Sequence, residues 1–188
     1  MIKQILFSSS LAILFLVLAS SSVKGQSHDD TTHEEGHEFK RFRAAINLAH
    51  AYIPAAEDIG SNYVIIPVWG LDFLFRFNEK WGMALKNDIE IAQYTLPESD
   101  ASGEVVLREN PLVISLPVYY GPWEGGLTFF AGPGIELEAN HNYWIARFGI
   151  GYEFEFAGHW DLSPEIVYDL KNGTYNSFTI AIGIGKSF

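Results

Sequence analysis

Residues 144–156 read WIARFGIGYEFEF, and they alternate without a break. Trp144, Ala146, Phe148, Ile150, Tyr152, Phe154 and Phe156 fall on even positions, while Ile145, Arg147, Gly149, Gly151, Glu153 and Glu155 fall on odd ones. Successive side chains of an extended chain point to opposite faces, so this stretch is a strand with one apolar face and one face of glycine and charge. Residues 63–77, YVIIPVWGLDFLFRF, repeat the pattern less strictly, with Tyr63, Ile65, Trp69, Leu71, Phe73, Phe75 and Phe77 against Gly70, Asp72 and Arg76. The last twelve residues, SFTIAIGIGKSF, place Phe178, Ile180, Ile182 and Ile184 on one face, with Thr179, Ala181, Gly183 and Gly185 between them.

Reading outward from these segments gives eight candidate strands, at 40–53, 63–77, 81–94, 108–120, 125–137, 143–156, 160–170 and 175–188. The connections at 78–80, 121–124 and 157–159 are tight, whereas 54–62 and 95–106 are longer and 138–142 and 171–174 intermediate. An even number of strands with tight turns at one end and longer loops at the other describes an antiparallel up-and-down β-barrel. A water-soluble barrel keeps its apolar face inside. Here the second face carries Gly132, Gly149, Gly151, Gly183 and Gly185, and glycine is a poor choice for an exposed strand face. It suits a crowded lumen, because an eight-stranded barrel has room only for packed side chains. The large apolar side chains must then look outward, which is tolerable only in lipid, so the expected fold class is an all-β, eight-stranded transmembrane barrel.

The aromatics support that orientation. Phe42, Phe77, Trp81, Tyr119, Trp123, Phe156, Trp160 and Phe188 gather at the short-turn end, and Tyr52, Tyr63, Tyr94, Tyr143, Trp144, Tyr168 and Tyr175 at the other. Aromatic girdles at both interfaces mark transmembrane barrels. On these residues and the closing phenylalanine, the chain from 40 to 188 resembles the small eight-stranded outer-membrane β-barrels of Gram-negative bacteria, the OmpA/OmpX-type and porin-like superfamily. The resemblance implies short turns in the periplasm, longer loops outside, contact with outer-membrane lipid and lipopolysaccharide, and recognition of the strand ending at Phe188 by the barrel-assembly machinery.

Residues 1–25 read as a secretory signal: Lys3, an apolar run to Ala19, then small residues with Val23 and Gly25 suited to cleavage. Without Lys3 and Lys24 the remainder holds ten basic and 23 acidic residues, a formal charge of −13, which argues against nucleic acid as a partner. The chain has no cysteine, so it lacks a disulfide framework and thiolate metal sites.

Residues 26–39 form a polar leader that would hang in the periplasm. Its HEEGH at 33–37 matches the zinc-peptidase pattern, but Gly36 interrupts a stretch with no apolar helix face to build the walled site such chemistry needs. What remains is loose binding of Zn²⁺, Cu²⁺ or Ni²⁺ by His28, His33 and His37 among neighbouring carboxylates, against a leader that is simply solvated. The lumen face collects Arg43, Asp72, Arg76, Lys86, Asp88, Glu90, Glu136, Arg147, Glu153, Glu155, Asp161, Glu165 and Asp169, read as a paired core in preference to a conducting pore. A lipid A-modifying enzyme would need a histidine and a serine together at the outer rim. His50 and His141 have no serine beside them in sequence, and Ser61, Ser99, Ser102 and Ser177 approach only through folding. The expected role is therefore structural or surface-binding, without catalysis.

Overall fold

The computed structural model describes residues 39–54, 63–97, 105–123, 126–139, 141–171 and 175–188. The expected signal at 1–25 and all but the last residue of the leader, including His28, His33 and His37, lie outside the described residues. Twelve strands follow: β1 (Phe42–Pro54), β2 (Tyr63–Arg76), β3 (Trp81–Glu90), β4 (Gln93–Pro97), β5 (Val105–Glu109), β6 (Leu112–Ser115), β7 (Val118–Tyr120), β8 (Leu127–Leu137), β9 (Tyr143–Tyr152), β10 (Phe154–Phe156), β11 (Trp160–Lys171) and β12 (Tyr175–Ser187). They make eight staves, each hydrogen-bonded antiparallel to its neighbours in sequence, and β1 pairs with β12 to close the ring.

Three staves are segmented, each for a local reason. Pro117 has no N–H to give, so β6 and β7 are one stave with a gap in its ladder; Pro117 still accepts from the Ala84 N–H at 2.9 Å. β9 and β10 keep one register along β11 across Glu153. Between the paired Ile89–Leu112 and Gln93–Glu109, the residues Glu90, Ile91 and Ala92 stand opposite Asn110 and Pro111. This bulge is accommodated by Asn110, whose φ of 44° lies in the left-handed region that asparagine tolerates. Beyond it, β4 and β5 pair only with each other and form a hairpin above the ring.

Paired residues wind round the barrel from Phe42 through Phe75, Met83, Val118, Ala131, Phe148, Tyr168 and Phe178 to Tyr52. The path returns to β1 ten residues above its start, so the shear is ten. With eight strands this sets a tilt of about 40°, and those ten residues climb about 25 Å along the axis. That equals the apolar band of a transmembrane barrel, also about 25 Å.

The outer wall is apolar over most of that band, with His50 and Asn87 as polar residues on its outward rows. Leu48, Ile182, Ile184, Phe148 and Ile166 are exposed along its height, with Trp81, Trp160, Phe154 and Phe188 at the short-turn end and Trp144, 68% exposed, near the other. Soluble monomers expose apolar patches of only a few hundred Å². An apolar surface encircling the molecule belongs in hydrocarbon, and the barrel therefore spans a membrane. No helix among the described residues is long and apolar enough to cross one.

The aromatic girdles need correction. Tyr94, Tyr119, Tyr143 and Tyr175 are buried in the lumen, not displayed at the interfaces. Each lies on the inward face of its stave, where a phenol can reach the buried charges.

Candidate functional site: the luminal ion-pair core

The inward face builds three tiers of charge, and glycine decides how they meet. At the short-turn end Arg43, on β1, crosses over β12 to bind Asp161 on β11, with its Nε 2.8 Å from one carboxylate oxygen and Nη2 2.5 Å from the other. Its Nη2 also donates to Ser163 at 2.7 Å. The crossing passes directly above Gly185, where a Cβ would stand only 2.6 Å from Arg43 Nη2. Arg76 donates to Glu153 at 2.5 Å and to Ser187 at 3.2 Å.

In the middle tier Lys86 lies between two carboxylates, in contact with Asp72 and 2.7 Å from Glu165. Its Nζ also donates to the Tyr119 hydroxyl at 3.3 Å, and the Tyr119 ring stacks on Phe130 at 4.7 Å. Phe130 in turn fills the space above Gly149, so that any Cβ there would strike its ring. Arg147 clamps Asp169 through two parallel bonds of 2.8 Å, the bidentate geometry that guanidinium favours, and donates to Asp88 at 2.5 Å and Ser115 at 3.1 Å.

Towards the loops, Lys171 lies 3.2 Å from Glu90 and 2.6 Å from Glu136. Tyr94 donates to Glu90 at 2.5 Å, and Tyr175 donates to Glu136 at 2.8 Å while accepting from Lys171 at 3.1 Å. Arg108 contacts Glu136, donates to the His141 carbonyl at 2.8 Å and lies over the Tyr143 ring at 4.7 Å. An apolar seam of Ala49, Ala51, Ile53, Ile66 and Val68 packs against these tyrosines. The result is a plug. The cavity at mid-height measures about 20 Å³, at the scale of a single water.

Most of the charges expected in the lumen are there. Glu155 is the exception: it lies past the end of the ring, exposed beside His159 at 3.2 Å. Arg108 and Lys171, both fully buried cations, join the charges that alternation places in the lumen. Lys171 shares the odd positions of Glu165 and Asp169, so the alternation of β11 carries it inward once the strand is extended by one residue. Arg108 is illegible by alternation, because the bulge at Asn110 shifts the inward face between it and Val113.

The candidate catalytic groups remain apart. His50 faces outward, paired with Pro67 and Ile180, whereas Ser177 is buried inside. His141 lends its backbone to Arg108. No histidine side chain bonds a serine among the described residues, and none of their His, Asp and Glu side chains cluster to hold a metal ion. Ser61, Ser99 and Ser102 lie outside the described residues.

No family model and no curated protein matches the sequence. Solved structures do match the fold. Ail, the attachment invasion locus protein of Yersinia pestis, crystallised with the heparin analogue sucrose octasulfate, superposes with a TM-score of 0.56 at 11% identity, over 79% of this chain and 99% of its own. Neisserial surface protein A gives 0.53 at 11% identity, over 78% and 97%. The N-terminal β-barrel domain of Pseudomonas aeruginosa OprF gives 0.53 at 12% identity, over 80% and 100%. With its closed ring, apolar belt and filled lumen, the chain has the fold of the small eight-stranded outer-membrane β-barrels.

Proposed function

We propose that the protein is a non-enzymatic outer-membrane barrel whose lumen is a sealed structural core and whose working surface is its loop end. The filled lumen carries this reading: three tiers of buried ion pairs cross it, as a structural core requires, which leaves the loop end as the surface for a partner. The sequence puts Glu57, Asp58, Glu98, Asp100 and Glu104 in the loops, and Glu109 on β5 is exposed. A ligand of that surface is a cation or a basic protein face. The polyanion seen with Ail does not suit it, since like charges repel at close range.

Insertion would proceed through β12, and the residue that follows it joins the seam: the Phe188 N–H donates to the Phe42 carbonyl at 2.8 Å, and the Phe42 N–H donates back at 3.1 Å. His28, His33 and His37 remain a proposed divalent-metal site of the leader.

The deciding experiment is reconstitution of the refolded barrel in a planar bilayer. A flat current trace is expected. Discrete conductance steps would reject the sealed-core reading in favour of a narrow channel. A change in lipid A mass on expression, lost with His50→Ala or His141→Ala, would reject the non-enzymatic one.

A further inference from the structure

The outer wall is not uniformly smooth. Between β3, β7, β8 and β9 lies a groove of about 450 Å³, lined by Trp81, Val118, Tyr120, Phe129, Ala131 and Phe148. Its floor is Ala131, the smallest side chain on the outward row between Val118 and Phe148, with which it pairs. Its walls are large. The groove begins at the short-turn end with the Trp81 and Tyr120 rings, 4.6 Å apart, and climbs to Phe148, roughly 14 Å higher along the barrel axis.

That height is about half of the ~30 Å hydrocarbon core of a bilayer, the depth of one leaflet. Hydrocarbon is the solvent along its whole length, so its occupant is a lipid chain. The mouth points the same way. The turn beneath Trp81 carries exposed Glu79 and Lys80, and it is held in place by Asn78 Oδ1, which accepts the Lys80 N–H at 2.9 Å, and by the Lys80 carbonyl, which accepts from Gly121 at 2.8 Å. A cation and an anion side by side complement a zwitterionic headgroup, phosphate to Lys80 and ammonium to Glu79. An indole and a phenol at the same level suit the interface.

We infer that this groove is a binding site for one phospholipid of the phosphatidylethanolamine type, drawn from the leaflet at the short-turn end, with an acyl chain over Ala131 and the headgroup at Glu79 and Lys80. The inference rests on the membrane-spanning reading and adds a specific lipid to it.

The test is native mass spectrometry of the full chain, released from vesicles of mixed phosphatidylethanolamine and phosphatidylglycerol into mild detergent. Three variants accompany the wild type. Ala131→Phe fills the groove; Ala44→Phe makes the same change on the opposite wall, where Ala44 also lies between larger outward residues; Lys80→Glu removes the phosphate partner. Heat-dependent gel mobility checks that each barrel is folded, so loss of the fold is distinguished from loss of the site. The expected result is one phosphatidylethanolamine retained by the wild type and Ala44→Phe, with retention lower by about tenfold in Ala131→Phe and in Lys80→Glu. Equal retention by folded Ala131→Phe and Ala44→Phe overturns the site. Preferential retention of phosphatidylglycerol overturns the headgroup assignment. A dimer that Ala131→Phe abolishes would show that a second barrel, not a lipid, covers the groove.

Discussion

Lys86 touches Asp72 and Glu165, and all three are buried in the lumen. Buried ion pairs of this kind are dangerous to halve, since removing one partner strands the other's charge at a cost of about 3–5 kcal/mol. Lys86→Met should therefore lower the urea midpoint of refolded barrel in vesicles sharply, read by tryptophan fluorescence. Adding Asp72→Asn and Glu165→Gln should recover most of the loss, because neutral groups do not demand a counter-charge. A triple variant no more stable than Lys86→Met would mean that the lysine acts through packing and not charge. The residues of this tier are legible as inward-facing from alternation alone. Which charge meets which is not: Lys86 on β3 meets Glu165 on β11 across the lumen, and in the tier at the short-turn end Arg43 reaches Asp161 over β12 through the space above Gly185.

Individual strands divide into those locked on both sides and those locked on one. β12 is hydrogen-bonded along both edges, to β1 and β11, and its outward face lies in the apolar band. Ile182, about half way up that band, is exposed to lipid. Ile182→Arg should cost about 2–4 kcal/mol in vesicle unfolding, the expense of a cation near the bilayer midplane. A cost below that of an equivalent change at the exposed Phe188 would contradict the placement of the band. The β4–β5 hairpin has only its own ladder. Its amides should exchange with deuterium well ahead of those of β1 and β12, by the usual logic that weakly connected units open first. Comparable protection would show that the hairpin packs against a further element. Asn110–Pro111 in ENPLV at 109–113 is a breaker signal inside a strand pattern, but that it makes a bulge with a separate hairpin beyond it is decided only by the register of both partners.

At the scale of the whole molecule, the barrel closes on itself without the leader: every stave finds both neighbours within residues 42–187, and Phe42 and Phe188 complete the seam. Deleting residues 26–39 should accordingly leave the unfolding midpoint unchanged. In calorimetry with Zn²⁺, the same deletion should abolish any binding seen for the mature chain. Zinc heats that survive the truncation would move the metal site onto the barrel and away from His28, His33 and His37. The sequence by itself determined the strand count, the antiparallel meander, the inside-out polarity and the membrane band, because period-two alternation and turn spacing are local properties of the chain. Its alternation also held the inward placement of Tyr94, Tyr143 and Tyr175, which the aromatic-girdle argument obscured. Only the tertiary structure decided the shear of ten, the ion-pair partners, the inward turn of Arg108 and the groove over Ala131. Each of these depends on how residues far apart in sequence come into register, and register is set by closure of the whole ring, not by any one strand.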